Sequence, residues 1–290
     1  MDNYILGSVI GEGQFGSVRK ATVKQSGAHV AMKQIRLNRI TEGLPHPVAR
    51  EILLAPSLES PFIIRTIEVL PFGSSVVMVM ELCKADLGNL LRAHSYTNPL
   101  PPEKAKNYLQ MLLMALHYLH KRDILHRDVK PSNLFLCHNG VLKVGDFGLS
   151  RIRAEDMSHE VSSRWYRAPE LLFGCRTYGG EVDMWSVGCV FGELLRGFSA
   201  PLFTGDGDLN QLSRIFDVLG TPKEESLRYY EQLPDWGKVH FHEKQGSTVR
   251  SLFPTVPDTA VHLLERLLNL NPKERLTPQE ALSHPYFCSA

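Results

Sequence analysis

Two rhythms of apolar and polar positions divide the chain. Up to about residue 85, short apolar and β-branched runs alternate with turn residues. Five of these runs read as strands: Tyr4 to Ile10, Gly16 to Val23, His29 to Ile35, Ile63 to Val69 and Val76 to Glu81. One helix interrupts them over Pro47 to Ala55, with Pro47 suited to a first turn and Pro56 placed to stop it. Beyond residue 86 the period becomes helical. From Pro102 to Lys121, Ala105, Tyr108, Leu109, Leu112, Leu116 and Leu119 recur at spacings of three, one, three, four and three, a stripe that must face a core. Asp183 to Leu195 is apolar on nearly every face, which predicts a helix buried in the lobe centre. A further stripe (Val261, Leu264, Leu267, Leu268) predicts a helix over Asp258 to Leu270, with Asp258 or Thr259 as its cap. Gly220 to Pro257, rich in Pro, Gly and charge, reads as loops with short helices.

Composition narrows the class. A length of 290 residues allows two domains or one large domain with two lobes. With 43% hydrophobic and 22% charged residues the chain is ordinary globular material. Lys and Arg number 32 against 31 Asp and Glu, a formal charge of +1, which argues against nucleic acid or an anionic membrane as main partner. The five cysteines (Cys83, Cys137, Cys175, Cys189, Cys288) are odd in number and contain no C-x-x-C pair. They read as reduced thiols of an intracellular protein, nuclear or cytoplasmic. Met1-Asp2-Asn3-Tyr4 lacks the basic and apolar regions of a secretory leader, and no apolar run approaches the length of a spanning helix.

Five motifs carry candidate chemistry. Gly11-Glu12-Gly13-Gln14-Phe15-Gly16-Ser17-Val18 is a G-x-G-x-x-G-x-V run, in which absent side chains let backbone N–H groups approach phosphate. Alone it is equally a tight glycine turn, and the β-type sequence after Val18 favours a hairpin over a strand-to-helix turn. In Val30-Ala31-Met32-Lys33, a lysine in an apolar strand is either an edge residue or needs an anion, for which Glu51 is the natural partner. His126-Arg127-Asp128-Val129-Lys130-Pro131-Ser132-Asn133 is far more specific. Asp128 can accept the proton of an attacking hydroxyl, Lys130 can neutralise a moving phosphoryl group and Asn133 offers a carbonyl to a metal. His126 reads as a hydrogen-bonded core histidine. Asp146-Phe147-Gly148, thirteen residues beyond Asn133, adds a hard oxygen ligand suited to Mg²⁺ on β- and γ-phosphates. Last, Glu170 in Ala168-Pro169-Glu170 needs a cation if buried; Arg275 supplies it as a purely structural pair.

In order and spacing these motifs resemble the eukaryotic protein kinases over nearly the whole chain. Trp165-Tyr166-Arg167, and Gly205-Asp206 through Leu219-Gly220-Thr221-Pro222, are similar to the cyclin-dependent kinases. Leu233-Pro234-Asp235-Trp236-Gly237-Lys238 and Gly43-Leu44-Pro45 resemble the cell-cycle-related branch. The resemblance implies an α+β, bilobal kinase fold: a small, mainly β lobe (1–83) with one regulatory helix, and a larger, mainly α lobe (84–290). It implies ATP and Mg²⁺ in the cleft and γ-phosphoryl transfer to Ser or Thr of protein substrates. Ile10, Val18, Ala31 and Phe135 would form the apolar walls, Met80 the gatekeeper, Glu81 and Cys83 the adenine-binding hinge, and Asp86 the ribose contact. Phe135 stands where the family usually has Leu. A cyclin or cyclin-like activator is expected on the Pro45 to Ala55 helix, which keeps Ala49-Arg50-Glu51 of the family's cyclin-reading pattern, and is expected to set the Lys33 to Glu51 pair.

Control is also implied. Arg50, Arg127 and Arg151 occupy the positions that bind an activation-loop phosphate, and Ser158 the acceptor position, the target of an upstream activating kinase. Glu155 or Asp156 is the alternative anion. Gln14 and Phe15 replace the family's inhibitory Thr-Tyr pair. Ser162 and Ser163 alter the pocket for the residue after the target, while Arg167 keeps proline-directed specificity as the expectation. A nucleotide-binding pseudokinase or scaffold is the competing class, and the presence of Lys33, Asp128 and Asp146 speaks against it.

Overall fold

The computed structural model describes residues 1–13, 16–36 and 46–288. Gln14, Phe15 and the Gly43-Leu44-Pro45 lead-in lie outside them. The amino-terminal lobe is an antiparallel sheet of β1 (Tyr4–Gly13), β2 (Gly16–Val23), β3 (His29–Arg36), β4 (Thr66–Phe72) and β5 (Ser75–Glu81), in the order β1-β2-β3-β5-β4. Alternation gives the sheet two apolar faces. Ala21, Val30, Met32, Val77 and Val79 make a small core on one, while Ile35 and Met78 face α1 (His46–Leu54) and join the main core with its Val48. The α-helix stops before Pro56, in a 3₁₀ turn over Ala55–Ser57, as the proline requires.

Residues 63–65 are not strand. Val144 N–H donates to Phe62 O at 2.8 Å and Ile64 N–H donates to Val144 O at 2.9 Å, so the backbone there is committed to the large lobe and β4 starts at Thr66.

The large lobe begins with β6 (Ala85–Asp86) and continues through α2 (Leu87–Arg92), α3 (Pro102–His120), β7 (Ile124–Leu125), β8 (Leu134–Leu136), β9 (Leu142–Val144) and β10 (Arg151–Ile152). Then come α4 (Pro169–Leu172), α5 (Glu181–Arg196), α6 (Asp208–Leu219), α7 (Glu224–Tyr230), α8 (Val249–Leu252) and α9 (Asp258–Leu267), before the short α10 (Pro278–Leu282) and α11 (Pro285–Cys288). Every residue of α5 from Val182 to Leu194 is buried, the central helix that its apolar circumference demands. It ends at Gly197, whose φ of 73° suits the left-handed position that terminates helices. The helix at 258 differs from expectation at both ends. Asp258 lies in its first turn with its carboxylate on Arg250, so it does not cap; Pro257 holds the N-cap position. At the other end Arg275 and Tyr230 take the carbonyls of Asn269 and Leu270, and the helix stops at Leu267. Among the described residues no helix is long and apolar enough to cross a membrane.

Candidate active site

The glycine run is a hairpin: Gly11 pairs Val18, Glu12 pairs Ser17 and Gly13 pairs Gly16 between β1 and β2. A Cβ on Gly16 would overlap the Gln34 carbonyl on β3, so only glycine fits there. Lys33 projects from β3, and its Nζ lies 2.6 Å from Glu51 Oε1 of α1 and 3.1 Å from Asp146 Oδ1 of the other lobe. One ammonium thus serves two carboxylates. Burial works against its charge, but Glu51 and Asp146 outweigh it and hold the amine above its ordinary value. Glu51, 5% exposed, is pushed up by burial, with Lys33 opposing and Asp146 adding to the rise. Asp146, which burial would raise, is instead drawn down by Lys33, His126 and Lys130. The Lys33–Glu51 pair is closed in this structure.

Asp128 is held from every side. Its Oδ2 lies 2.7 Å from Lys130 Nζ and 3.0 Å from Asn133 Nδ2, and its backbone carbonyl accepts a second bond from Nδ2 at 2.8 Å. Its Oδ1 accepts from the Ser163 backbone N–H at 3.0 Å and hydroxyl at 3.1 Å, while Lys130 Nζ donates to Ser163 Oγ at 2.7 Å. Ser163 therefore belongs to this centre, a role its sequence position did not reveal. The loop itself is anchored by Asp183 of α5, which accepts from the N–H groups of His126 (2.9 Å) and Arg127 (2.7 Å) and bonds His120 Nε2 at 2.9 Å. His126 is fully buried with Nε2 at 3.0 Å from Gly145 O, the core histidine its pattern suggested.

Three non-glycine residues here adopt left-handed backbone: Arg127 (φ 65°), Asp146 (φ 61°) and Ser162 (φ 64°). Such conformations cost of order 1–3 kcal/mol each and persist where surrounding bonds over-determine them. Ser162 Oγ donates to Arg127 O at 2.6 Å, and Arg167 donates to the carbonyls of Val161 (2.8 Å) and Ser162 (3.0 Å).

Arg50, Arg127 and Arg151 come together: Arg50 is lowered by burial and by the charges of the other two. Among the described residues none of the three has an ion pair. Arg127 instead donates to Tyr178 Oη (2.9 Å) and Leu149 O (2.8 Å), and Tyr178 donates to Ser158 O at 2.5 Å. Ser158 is exposed. Asp156, weighed as an alternative anion, binds Arg176 at 2.5 Å instead. Glu170 and Arg275 pair at 2.8 and 3.2 Å, both sealed from solvent.

At the segment between the lobes the Glu81 carboxylate is taken by Lys143 Nζ (2.7 and 2.9 Å) and the Arg65 N–H (2.7 Å). Asp86 caps α2 through the Asn89 N–H at 2.8 Å. Phe135 leans on Gly145, where a Cβ would meet its ring at 2.9 Å. Ala31 is buried, Val18 and Met80 are half-buried, and Ile10 is 50% exposed. One expectation fails: Cys83 and Cys137 are disulfide-bonded, with Cα atoms 4.3 Å apart. Strands β6 and β8 bring together two thiols 54 residues apart in sequence, a proximity no local spacing announces.

Comparison with known proteins agrees with this geometry. Residues 4–287 match the protein kinase domain. Cyclin-dependent kinase D-1 of Arabidopsis thaliana is 42% identical over 292 residues, covering 100% of this chain and 72% of the relative. Cyclin-dependent kinase 20 of Danio rerio is 39% identical over 99% of this chain and 84% of its own length, and that of Homo sapiens 40% identical over 100% and 84%. The chain belongs to the cyclin-dependent kinase family and is a serine/threonine protein kinase of that type.

Proposed function

We propose that the chain binds ATP and Mg²⁺ between its lobes and transfers the γ-phosphoryl group to a serine or threonine followed by proline. The observation that carries this reading is a pair of bonded clusters with bonds of 2.6–3.1 Å, Lys33 with Glu51 and Asp146, and Asp128 with Lys130, Asn133 and Ser163, brought side by side where the Gly145 N–H, next to Asp146, donates to Asn133 O at 3.0 Å. Asp146 and Asn133 supply hard oxygens, and no cluster of three or more His, Cys, Asp or Glu offers a metal cage among the described residues. Two protein oxygens suit Mg²⁺, which keeps waters and phosphate oxygens as its other ligands. Bound there, the ion would neutralise charge on the β- and γ-phosphates. Lys33, fixed by Glu51, holds the nucleotide phosphates. Asp128, with Lys130 and Ser163 fixing its rotamer, orients the substrate hydroxyl and accepts its proton. Lys130 offsets the charge that develops on the transferred group.

Proline preference rests on the Ser162 carbonyl. It is turned onto Arg167, so a substrate N–H at the following position finds no acceptor and is left unsatisfied. Proline has no N–H to lose. An activator of cyclin type, in keeping with the relatives' names, packs on α1, where Leu53 is 77% exposed, and holds a pair that is already formed. Phosphate on Ser158, added by an upstream kinase, supplies the anion for Arg50, Arg127 and Arg151.

Asp128→Asn should abolish transfer to protein while nucleotide affinity, read by calorimetry, stays within about twofold. Retained turnover would remove Asp128 from the chemistry. On a peptide array the parent should prefer proline after the acceptor, and equal labelling of alanine at that position would refute the carbonyl argument.

A further inference from the structure

We propose that Cys83 and Cys137 form a peroxide-responsive dithiol that ties the interlobe segment to the large lobe and slows turnover when closed. Cys83 lies two residues after β5, in the stretch leading to β6, and Cys137 directly follows β8. Their backbones are fixed independently of the sulfurs. Lys84 N–H donates to Leu136 O at 2.8 Å, Cys137 N–H donates to Val141 O at 2.9 Å, and β6 pairs with β8 through Ala85–Leu136 and Asp86–Phe135. The S–S bond can therefore open and close without moving either strand, and the 4.3 Å between the Cα atoms keeps the thiols adjacent when reduced.

The other cysteines do not compete. Cys175 and Cys189 are buried, and burial pushes both thiols up, away from the reactive thiolate. Cys288 is exposed and free. Cys83 and Cys137 are half-buried, open enough to meet a small oxidant.

The chemistry balances with hydrogen peroxide as oxidant. One thiolate attacks a peroxide oxygen; the O–O bond breaks, leaving a sulfenic acid and one water. The second sulfur attacks the sulfenic sulfur, the S–S bond forms and the hydroxyl departs as a second water. Two thiols lose two electrons and two protons, and one peroxide becomes two waters. A dithiol reductant reverses the bond by exchange. In a reducing compartment the open form is the resting state. Closure extends the large lobe's hold from Lys84 one residue further into the interlobe segment, to Cys83, and so hinders the opening that releases product.

The effect on turnover rests on the ATP-dependent reading above; the sulfur chemistry does not. Full-length protein is treated with dithiothreitol or with hydrogen peroxide, digested without reductant and analysed by mass spectrometry, alongside steady-state transfer to a peptide. We expect a Cys83–Cys137 linked peptide after peroxide that vanishes on reduction, with kcat at least halved and then restored. Cys137→Ser should keep its full rate through the same dose, while Cys288→Ser remains sensitive. A link that survives millimolar reductant, or never forms, overturns the switch. Equal peroxide sensitivity of Cys137→Ser places the damage elsewhere and also overturns it, as does a link that opens and closes at constant kcat. Absence of transfer by the fully reduced protein instead fails the phosphotransferase reading.

Discussion

Two carboxylate–cation pairs were foreseeable from the chain, and they sit in opposite environments. Glu170 and Arg275 are wholly enclosed and bidentate, and the guanidinium also donates to the carbonyls of Asn269 and Glu181 and lies 5.2 Å from the Trp185 ring. Burial alone would lower Arg275, yet Glu170 outweighs it and holds the cation above its ordinary value. Lys33 instead stays 20% exposed and divides one amine between Glu51 and an Asp146 side chain that is 44% exposed. A fully satisfied buried pair fixes architecture; a shared, half-open one leaves an ammonium that solvent still reaches.

The sharpest way to break this contrast is to delete each cation. Arg275→Ala strands a buried carboxylate and should cost about 3–5 kcal/mol, read as a shift in denaturation midpoint. Lys33→Met should lower kcat/KM for transfer by roughly a hundredfold or more with little change in that midpoint. If Lys33→Met unfolds the protein and Arg275→Ala does not, the assignment of roles is reversed.

A third buried carboxylate sharpens the comparison, because its hydrogen-bond partner is not a cation. Glu193 accepts from Tyr166 Oη at 2.6 Å, and burial pushes it up to about 7, with Tyr166 and Arg196 pulling the other way. The folded state thus binds a proton that the unfolded chain, near 4.5, has released. Its contribution is complete below about pH 4.5 and is lost as pH rises towards 7, a change of order 3 kcal/mol at full extent. Relative to Glu193→Gln, the parent should lose thermal stability between pH 5 and 8; a constant gap would contradict the assignment.

Smallest is the effect expected where cations meet without an anion. Ser158→Ala should reduce transfer about tenfold after treatment with an activating kinase, worth roughly 1.4 kcal/mol. Equal rates for parent and variant would mean that Arg50, Arg127 and Arg151 work without a phosphate.

What the chain disclosed in advance followed from local constraint. The all-round apolar α5, the stop before Pro56 and the Asp-Phe-Gly run after a short strand each announce themselves within a dozen residues. Residues whose meaning depends on chain reversal did not. Ser163 touches Asp128 across 35 positions, Tyr178 reaches Arg127 across 51, and a hydroxyl has no periodicity to betray it. Ile63 looked like strand because it is apolar and β-branched, but its segment bonds to β9 of the other lobe, a choice made by tertiary contact. Asp86 also serves the open end of α2, a local demand apart from the ribose contact that the resemblance implies.

The grip of Asp183 on two successive peptide N–H groups has a mechanical consequence. The loop that carries Asp128 is bolted to α5, buried at every residue from Val182 to Leu194, whereas Lys33 arrives on a thin sheet with a five-residue core of its own. Under the proposed reading, any relative travel of the lobes would move hammer and not anvil, carrying the nucleotide to a stationary base.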